Sequence, residues 1–327
     1  MITASLSAMV ASRRPRRAFT LVELMMSMGL FSVLAILIFS VMNMVTDITT
    51  RASTRLTTIR TARECLDLIG TDLRLSPPPY TVLGSSNSLQ MDVNSTAIAA
   101  SYRQPHTFFW QSPVSRTDKY GNVSIVGYYI LRDLQVDPSK SRLQLRRLYV
   151  EPENPTSPPT SSEYLVYAAP ADWHPDTLLK QFAPETAAAD NAAGLKGWVA
   201  DGVLAMWVRC LDPKGNPIVK KLDGTAVTYN YDSRASYQYT GVSATNIIYA
   251  SPVGRPALPA YIEVTLVCVS PREISRIKTL PAATASNPAL YNSEIAQFVA
   301  AARAQNPTVK TIESFTQKFR IYSARDL

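Results

Sequence analysis

The feature that most constrains this chain is a stretch of 23 consecutive residues without a charge, from Leu24 to Thr46. As a helix rising about 1.5 Å per residue it reaches about 35 Å, enough to cross a hydrocarbon core of about 30 Å. Arginines lie just upstream, at positions 13, 14, 16 and 17, and the positive-inside rule keeps such a cluster in the cytoplasm. We therefore expect one membrane span, with everything after Asp47 exported.

An ordinary secretory signal or signal anchor also pairs a basic start with an apolar stretch. Here the apolar stretch exceeds the usual roughly 7 to 15 residues of a signal core, and residues 43–47 lack a small-x-small cleavage pattern. Glu23 lies at the upstream edge of the stretch. A carboxylate carried to mid-membrane depth costs about 2.5 to 3.5 kcal/mol, so Glu23 needs a partner unless it is tolerated near the interface of a plain anchor.

Residues 16–24, Arg-Arg-Ala-Phe-Thr-Leu-Val-Glu-Leu, resemble the processing site of type IV prepilins and type II secretion pseudopilins. The resemblance implies that a prepilin peptidase reads Arg16, Arg17 and Ala18, cuts between Ala18 and Phe19, and methylates the new amine of Phe19. The family usually has glycine where this chain has Ala18.

The same resemblance implies that Thr20, Leu21 and Glu23 serve assembly, with Glu23 as the fifth residue of the mature chain. Physical chemistry favours this role for Glu23. A liberated amine on Phe19 is cationic near neutral pH, so a carboxylate one turn along the helix is able to meet such an amine across a subunit boundary. The positive end of the helix dipole also favours an acid in the first turn.

After Asp47 the pattern becomes amphipathic, with no Gly or Pro at the changeover. Apolar residues recur at steps of three and four and predict a docked stripe, formed by Ala52, Leu56, Ile59, Ala62, Leu66, Ile69 and Leu73. The prolines at 77–79 end the pattern, because proline cannot donate to a helical ladder. We expect one helix over residues 19–76, its first part in lipid and its second part docked on a globular body.

Beyond Tyr80, short alternating runs are separated by turn residues, which is typical of strands. The predicted strands cover residues 89–93, 123–132, 142–150, 203–211, 247–250, 261–269 and 315–322. Residues 293–304 have apolar side chains at helical spacing and predict a late helix. The expected fold class is α+β, in which a long N-terminal membrane-spanning helix continues into a pilin-like body of antiparallel β-sheet with long loops.

These patterns divide the chain into four parts. They are a cytoplasmic leader (1–18), a transmembrane half-helix (19–46), an amphipathic half-helix (47–76) and an exported β-rich domain (77–327). Residues 203–212 with the turn that follows, residues 258–266, and Asp72-Leu73-Arg74 resemble the J-type minor pseudopilins of type II secretion.

The composition argues against most kinds of catalytic or metal-binding site. The two histidines, His106 and His174, are far apart, and no P-loop, GxSxG or GxGxxG motif occurs. We expect no enzyme activity, no cofactor and no metal site. The net charge of +8 falls to +4 without residues 1–18, which contain four arginines and no acid. Nucleic acid is therefore not an expected partner, although the tyrosines between 229 and 249 leave stacking on single strands as a minor alternative.

The three cysteines show no CxxC spacing. Cys210 and Cys268 fall in predicted strands, and an oxidising compartment would permit a bridge between them. The alternative, which the apolar face around Cys268 favours, is that each is a small buried hydrophobe. Cys65 is expected to lie unpaired in the helix.

Together, these patterns predict a minor pilin or pseudopilin subunit of a type II secretion or type IV pilus-like filament. Its expected partners are the prepilin peptidase, the inner membrane, and other minor and major pseudopilins through the N-terminal helix. It would be stored as a single-pass inner-membrane protein with its body in the periplasm, then extracted into a periplasmic or surface filament. The alternative is a filament-tip adhesin or DNA-uptake module with residues 151–197 and 223–256 as its contact surface. A third possibility is an enzyme tethered to the membrane by a signal anchor, but no set of candidate catalytic residues in the sequence supports it.

Overall fold

The long helix α1 begins after Thr20 and runs without interruption over Leu21–Arg74, 54 residues in all. A computed structural model of the chain describes residues 20–75, 91–94, 103–112, 124–133, 141–150, 197–238 and 258–321. Within this part of the chain, α1 is the one helix long and apolar enough to cross a membrane. The chain divides into two compact units, Met1–Ser53 and Thr54–Leu327.

In the first unit, α1 exposes its apolar side chains rather than burying them. Its large apolar residues, from Leu21 to Ile48, are 49 to 76% exposed. A continuous apolar surface of this size on all sides of a helix is unfavourable in water and is typical of a segment surrounded by lipid. The exposed apolar helix therefore agrees with the predicted membrane span.

In the second unit, one face of α1 is buried. The buried residues are Thr54, Thr58, Ala62, Cys65, Leu66, Ile69, Gly70, Asp72 and Leu73. The predicted stripe is correct from Ala62 onward, but its start is wrong, since Ala52 and Leu56 are exposed and Ile59 is only partly buried. At 3.6 residues per turn, Thr54 and Thr58 continue the buried face, and the Thr58 hydroxyl donates to the Thr54 carbonyl at 3.1 Å.

The described body contains eleven strands and one further α-helix. The strands are β1 Met91–Val93, β2 Phe108–Ser112, β3 Ser124–Asp133, β4 Arg142–Val150, β5 Trp198–Asp201, β6 Val203–Leu211, β7 Lys220–Lys221, β8 Tyr231–Asp232, β9 Tyr237–Gln238, β10 Tyr261–Cys268 and β11 Glu313–Arg320. The helix, α2, spans Tyr291–Gln305. Two 3-10 helices, Pro271–Arg276 and Pro288–Leu290, lie between β10 and α2.

The strands form two main sheets and a short hairpin. The larger sheet has the order β5-β4-β3-β2-β1-β8, the smaller one β11-β10-β6, and β7 pairs with β9. All strand pairs within them are antiparallel. The long apolar helix followed by this antiparallel body confirms the predicted α+β, pilin-like architecture.

Two apolar clusters hold these layers together. The first joins the buried face of α1 to one face of each main sheet and includes Ile69, Tyr128 and Val264. The second lies on the opposite face of the smaller sheet, where Trp207 meets Phe298 of α2 edge-on with ring centroids 5.1 Å apart. Each large apolar side chain buried in this way contributes about 1.5 to 3 kcal/mol, so the smaller sheet is stabilised from both sides.

Gly202 connects the two main sheets where the chain passes from β5 into β6. Its N–H donates to the Leu143 carbonyl in the larger sheet, and its carbonyl accepts from Val269 N–H just after β10, both at 2.7 Å. Its φ is +81°, and a Cβ atom there would lie 2.3 Å from the Val269 carbonyl oxygen. The crossing therefore requires glycine for both conformation and space.

Most predicted strands match the structure. Residues 142–150 and 203–211 agree with β4 and β6, the other described strands are displaced by at most two residues at either end, and residues 247–250 lie outside the described residues. The predicted late helix is α2, slightly longer than expected. Five strands were missed. β2 is buried at every position and so shows no alternation, β5 has only four residues, and β7, β8 and β9 have two residues each.

We predict that Gly202→Ala destabilises the protein far more than Gly224→Ala. Gly224 has a similar φ of +87°, but a Cβ atom added there would have no neighbour within 4 Å, so its replacement costs about 1 kcal/mol for the backbone alone. Gly202→Ala adds the clash with Val269 and should cost at least about 3 kcal/mol. Urea unfolding of the full chain in detergent micelles measures both, and equal losses would contradict the role of Gly202.

Candidate assembly site

The helix start places Thr20 and Glu23 in a capping box. The Glu23 N–H donates to the Thr20 hydroxyl oxygen at 3.3 Å, and both the N–H and the hydroxyl of Thr20 donate to the Glu23 carboxylate at 3.4 Å. Such reciprocal bonds satisfy amide groups that have no partner within a helix. Glu23 therefore has an intramolecular role, and its contacts are long.

Several other polar side chains in the apolar part of α1 are satisfied by the helix itself. The hydroxyls of Ser27, Ser32 and Thr46 donate to the carbonyls of Leu24, Met28 and Met42 at 2.8 to 2.9 Å. A hydroxyl bonded in this way adds little cost in hydrocarbon. Glu23 differs, because a carboxylate has two oxygens to satisfy and, among the residues that the structure describes, only Thr20 donates to it.

The predicted processing residues Arg16, Arg17, Ala18 and Phe19 lie outside the described residues. Of the predicted assembly residues, Thr20 and Glu23 are brought together, and Leu21 is the first residue of α1, with 76% of its surface exposed. An exposed leucine beside the capping box is suited to contact lipid or another helix.

Comparison with known proteins supports the same part of the chain. A family model described as the prokaryotic N-terminal methylation motif matches residues 13–39. No curated protein matches the chain. The motif and the apolar helix support the pilin and pseudopilin family and indicate a membrane-anchored, pilin-like protein that a prepilin peptidase processes. Proteins of this structural family are generally not enzymes.

At the other end of α1, Asp72 anchors the helix to the larger sheet. Arg147 of β4 donates two hydrogen bonds to the Asp72 carboxylate, one of 2.7 Å from Nε and one of 3.0 Å from an Nη atom. The Tyr128 hydroxyl of β3 donates to the same carboxylate at 2.5 Å. A bidentate pair with this geometry is among the stronger polar contacts in proteins, and here it joins α1 to two neighbouring strands.

The electrostatics of this anchor reinforce it. Burial lowers the pKa of Arg147, but the hydrogen bonds and negative charge of Asp72 outweigh that effect and raise it overall. Burial, together with the charge of Asp72, raises the pKa of Tyr128. Arg147 thus stays charged and Tyr128 stays protonated as a donor at neutral pH.

Sequence reasoning singled out Asp72 only through a resemblance and missed Arg147 and Tyr128. A signal for Arg147 was present in β4. Leu145 and Arg147 alternate on the face that packs toward α1, and an arginine at an inward position requires a buried acid. Nothing in the local pattern identified which acid this would be.

The disulfide that the sequence left open between Cys210 and Cys268 is not formed. All three cysteines are buried and free. In the pairing of β6 with β10, Cys210 lies opposite Ile262 and Cys268 opposite Val203, so about 20 Å of strand separates the two thiols. Burial raises the pKa of each thiol, which agrees with the alternative that these cysteines act as small buried hydrophobes. Cys65 lies unpaired in α1, as expected.

His106 has a structural environment. It is fully buried, its Nδ1 accepts a hydrogen bond of 2.8 Å from Val208 N–H, and its ring lies 4.4 Å from that of Tyr229. Burial lowers its pKa to about 3, so the imidazole is neutral near pH 7. His174 lies outside the described residues. No group of three or more metal-ligating side chains occurs in the residues that the structure describes.

The tyrosine tract offers little surface for base stacking in its described part. Tyr229, Tyr231 and Tyr237 are each at most 4% exposed. Tyr231 and Tyr237 stack on one another with centroids 4.4 Å apart, and the Tyr229 hydroxyl donates to Glu294 at 2.7 Å. These rings serve the packing of the body itself.

We predict that Asp72→Asn destabilises the protein by about 2 to 3 kcal/mol. This value lies below the usual cost of breaking a buried pair because about a quarter of the Arg147 side chain is exposed. Tyr128→Phe, which keeps the ion pair, should cost about 1 kcal/mol.

The matched control is Asp67→Asn, because Asp67 is an exposed acid of the same helix, and it should change stability by less than about 0.5 kcal/mol. Denaturant unfolding of the full chain measures all three variants. Similar losses for Asp72→Asn and Asp67→Asn would show that the ion pair does not anchor α1.

Proposed function

We propose that this protein is a minor subunit of a pilus-like filament belonging to a type II secretion or type IV pilus machine. A prepilin peptidase would cut between Ala18 and Phe19 and methylate the amine of Phe19. The mature subunit would wait in the inner membrane, with its body in the periplasm, and then enter the filament through α1. The single observation that carries this proposal is the methylation motif over residues 13–39, which includes the first part of the unbroken helix Leu21–Arg74.

The assembly step in this proposal uses the carboxylate of Glu23. In the stored subunit, Glu23 is held by Thr20 through contacts of 3.3 to 3.4 Å. When another subunit enters the filament, the cationic amine of its Phe19 would supply the countercharge that a single threonine does not. An ion pair removed from water is favourable only when both partners are present and well placed, so this pair would favour one register of neighbouring helices.

A minor position, of the J type, fits the body better than a repeating one. Two of the segments that resemble J-type pseudopilins are paired directly as β6 and β10, and the third contains the anchor residue Asp72. At 327 residues, the chain also carries a bulky body, which a tip or initiating position accommodates without repeated stacking. The adhesin or DNA-uptake alternative is disfavoured by the buried tyrosines of its described contact surface.

We predict that the chain isolated from cells containing a prepilin peptidase begins at N-methylated Phe19. Mass spectrometry of the intact membrane-extracted protein should show loss of residues 1–18 and gain of one methyl group. Ala18→Gly, which restores the usual residue of the family, should be cut at least as completely. An uncut arginine-rich leader in such cells would contradict the proposed processing.

We predict that Glu23→Gln reduces incorporation into filaments by at least about tenfold, corresponding to roughly 1.4 kcal/mol, without reducing membrane insertion or cleavage. The matched variant is Thr20→Val, which removes the cap hydroxyl but keeps the carboxylate. Quantitative blotting of sheared filaments against the membrane fraction measures both.

The two variants separate assembly from helix capping. If Glu23 pairs with a neighbouring amine, Thr20→Val retains most assembly and Glu23→Gln loses it. If Glu23 only caps its own helix, the two variants should behave alike. Full incorporation of Glu23→Gln would overturn the assembly role.

A further inference from the structure

The larger sheet is buried on both faces, although the two apolar clusters account for only one. Its inner face packs toward α1 through alternate residues such as Phe108 and Tyr128. The residues between them form what we call the outer face: Phe109, Gln111, Ile125, Tyr129, Arg146 and Leu148. Each is at most 3% exposed, and none belongs to either cluster. Another layer therefore covers the outer face.

The outer face combines apolar groups with positive charge. The Phe109 ring packs directly over Gly127 of the neighbouring strand, and a Cβ atom on Gly127 would lie 1.8 Å from the ring. The ring therefore lies flat on the sheet and forms an apolar patch in the middle of the outer face. Tyr129 lies directly opposite Arg146 in the pairing of β3 with β4. Strand β4 places Arg142 and Arg146 on this face, whereas Arg147 lies on the inner face and pairs with Asp72. A layer packed on this face therefore supplies apolar side chains, and acids in it would be favoured beside Arg142 and Arg146.

The chain between β4 and β5 is far longer than its ends require. These two strands are antiparallel neighbours, and Arg147 N–H donates to the Gly197 carbonyl at 2.7 Å. A hairpin of about two to five residues would join them, yet residues 151–196 provide 46. This segment leaves from the end of β4 and returns at Trp198 opposite Arg146, so both of its ends lie at the sheet that needs covering.

The composition of residues 151–196 matches the outer face. The segment contains seven acids (at 151, 153, 163, 172, 176, 185 and 190) against the lysines at 180 and 196. Its apolar residues include Leu178, Leu179 and Phe182. Residues 76–90 carry no charge, whereas residues 113–123 and 239–257 each carry one net positive charge. Of these segments, only residues 151–196 carry net negative charge, which complements Arg142 and Arg146.

We propose that the outer face of the larger sheet is the docking surface for residues 151–196 of the same chain. The acidic and apolar segment completes a third layer against β3 and β4. This assignment does not depend on the proposed filament role. It means that residues 151–196 belong to the packed body, so their apolar groups serve the fold and are not a free adhesive surface.

Photo-crosslinking of the full chain in detergent micelles tests this docking. The probe replaces Phe109 on the outer face with p-benzoylphenylalanine, and the matched control replaces its neighbour Phe108, which faces inward on the same strand. After irradiation and peptide mapping, the Phe109 probe should attach to peptides from residues 151–196, and the Phe108 probe should not. Attachment of the Phe109 probe to residues 113–123, to residues 239–257 or to a second chain would overturn the proposal.

A second measurement remains informative if either probe prevents folding. In the variant Leu178→Ser/Leu179→Ser/Phe182→Ser, hydroxyl-radical labelling of Tyr129 and Leu148 should rise by about fivefold as their cover is lost. Labelling of the inward Tyr128 should stay unchanged. The control Thr156→Ala/Ser157→Ala/Ser161→Ala alters polar residues of the same segment and should leave all three labels unchanged. Unaltered labelling of Tyr129 and Leu148 in the first variant would show that another element covers the outer face.

Discussion

The ion pair between Asp72 and Arg147 is the interaction on which the body most depends, because it fixes the end of the long helix on the larger sheet. One carboxylate joins α1 to β3 through Tyr128 and to β4 through Arg147. The backbone of Arg147 in turn holds Gly197 at the start of β5, where a Cβ atom would lie 2.3 Å from the Arg147 carbonyl oxygen. A single buried charge thus sets the relative positions of a helix and three strands.

The two acids near the ends of α1 differ in how completely the subunit satisfies them. Asp72 receives three hydrogen bonds of 2.5 to 3.0 Å from two strands. From the described part of the chain, Glu23 receives only the long contacts of Thr20 in its own turn. An acid with strong partners inside its subunit stabilises the fold, whereas an acid with weak ones retains affinity for an external cation. This difference is the physical basis for assigning folding to Asp72 and assembly to Glu23.

Local sequence patterns predicted the secondary structure, whereas the tertiary contacts between distant residues could not be predicted from them. The apolar stretch, the stripe from Ala62 and the alternation in β4, β6 and β10 are local, so the sequence indicated the helix, most strands and the α+β class. Thr20 and Glu23 were named as assembly residues through the resemblance to prepilins, and their capping contacts with each other were not predicted. The partners of Asp72 lie 56 and 75 residues away, and no local pattern joins them.

The wrong start of the docked stripe has a similar cause. Leu56 is apolar and was placed on the buried face, yet it is 54% exposed, while Thr54 and Thr58 are buried. Hydropathy ranks leucine above threonine, but a threonine whose hydroxyl bonds to the helix backbone is compatible with burial. Which face is buried depends on where the sheets lie, and the short strand β2 and the crossing at Gly202 that place those sheets gave only weak sequence signals.

The chain order determines when the second part of α1 can dock. Arg55 pairs with Glu313 at 2.9 Å, and Gly70 leaves room for the ring of Phe319, so α1 lies alongside β11. Fifteen helical residues rise about 22 Å and six strand residues about 20 Å, which shows that the two elements run together over this length. Since α1 is synthesised first and β11 last, the helix has its full packing surface only after the whole body is available. Such long-range pairing slows folding, because the docking of α1 is complete only when β11 is in place.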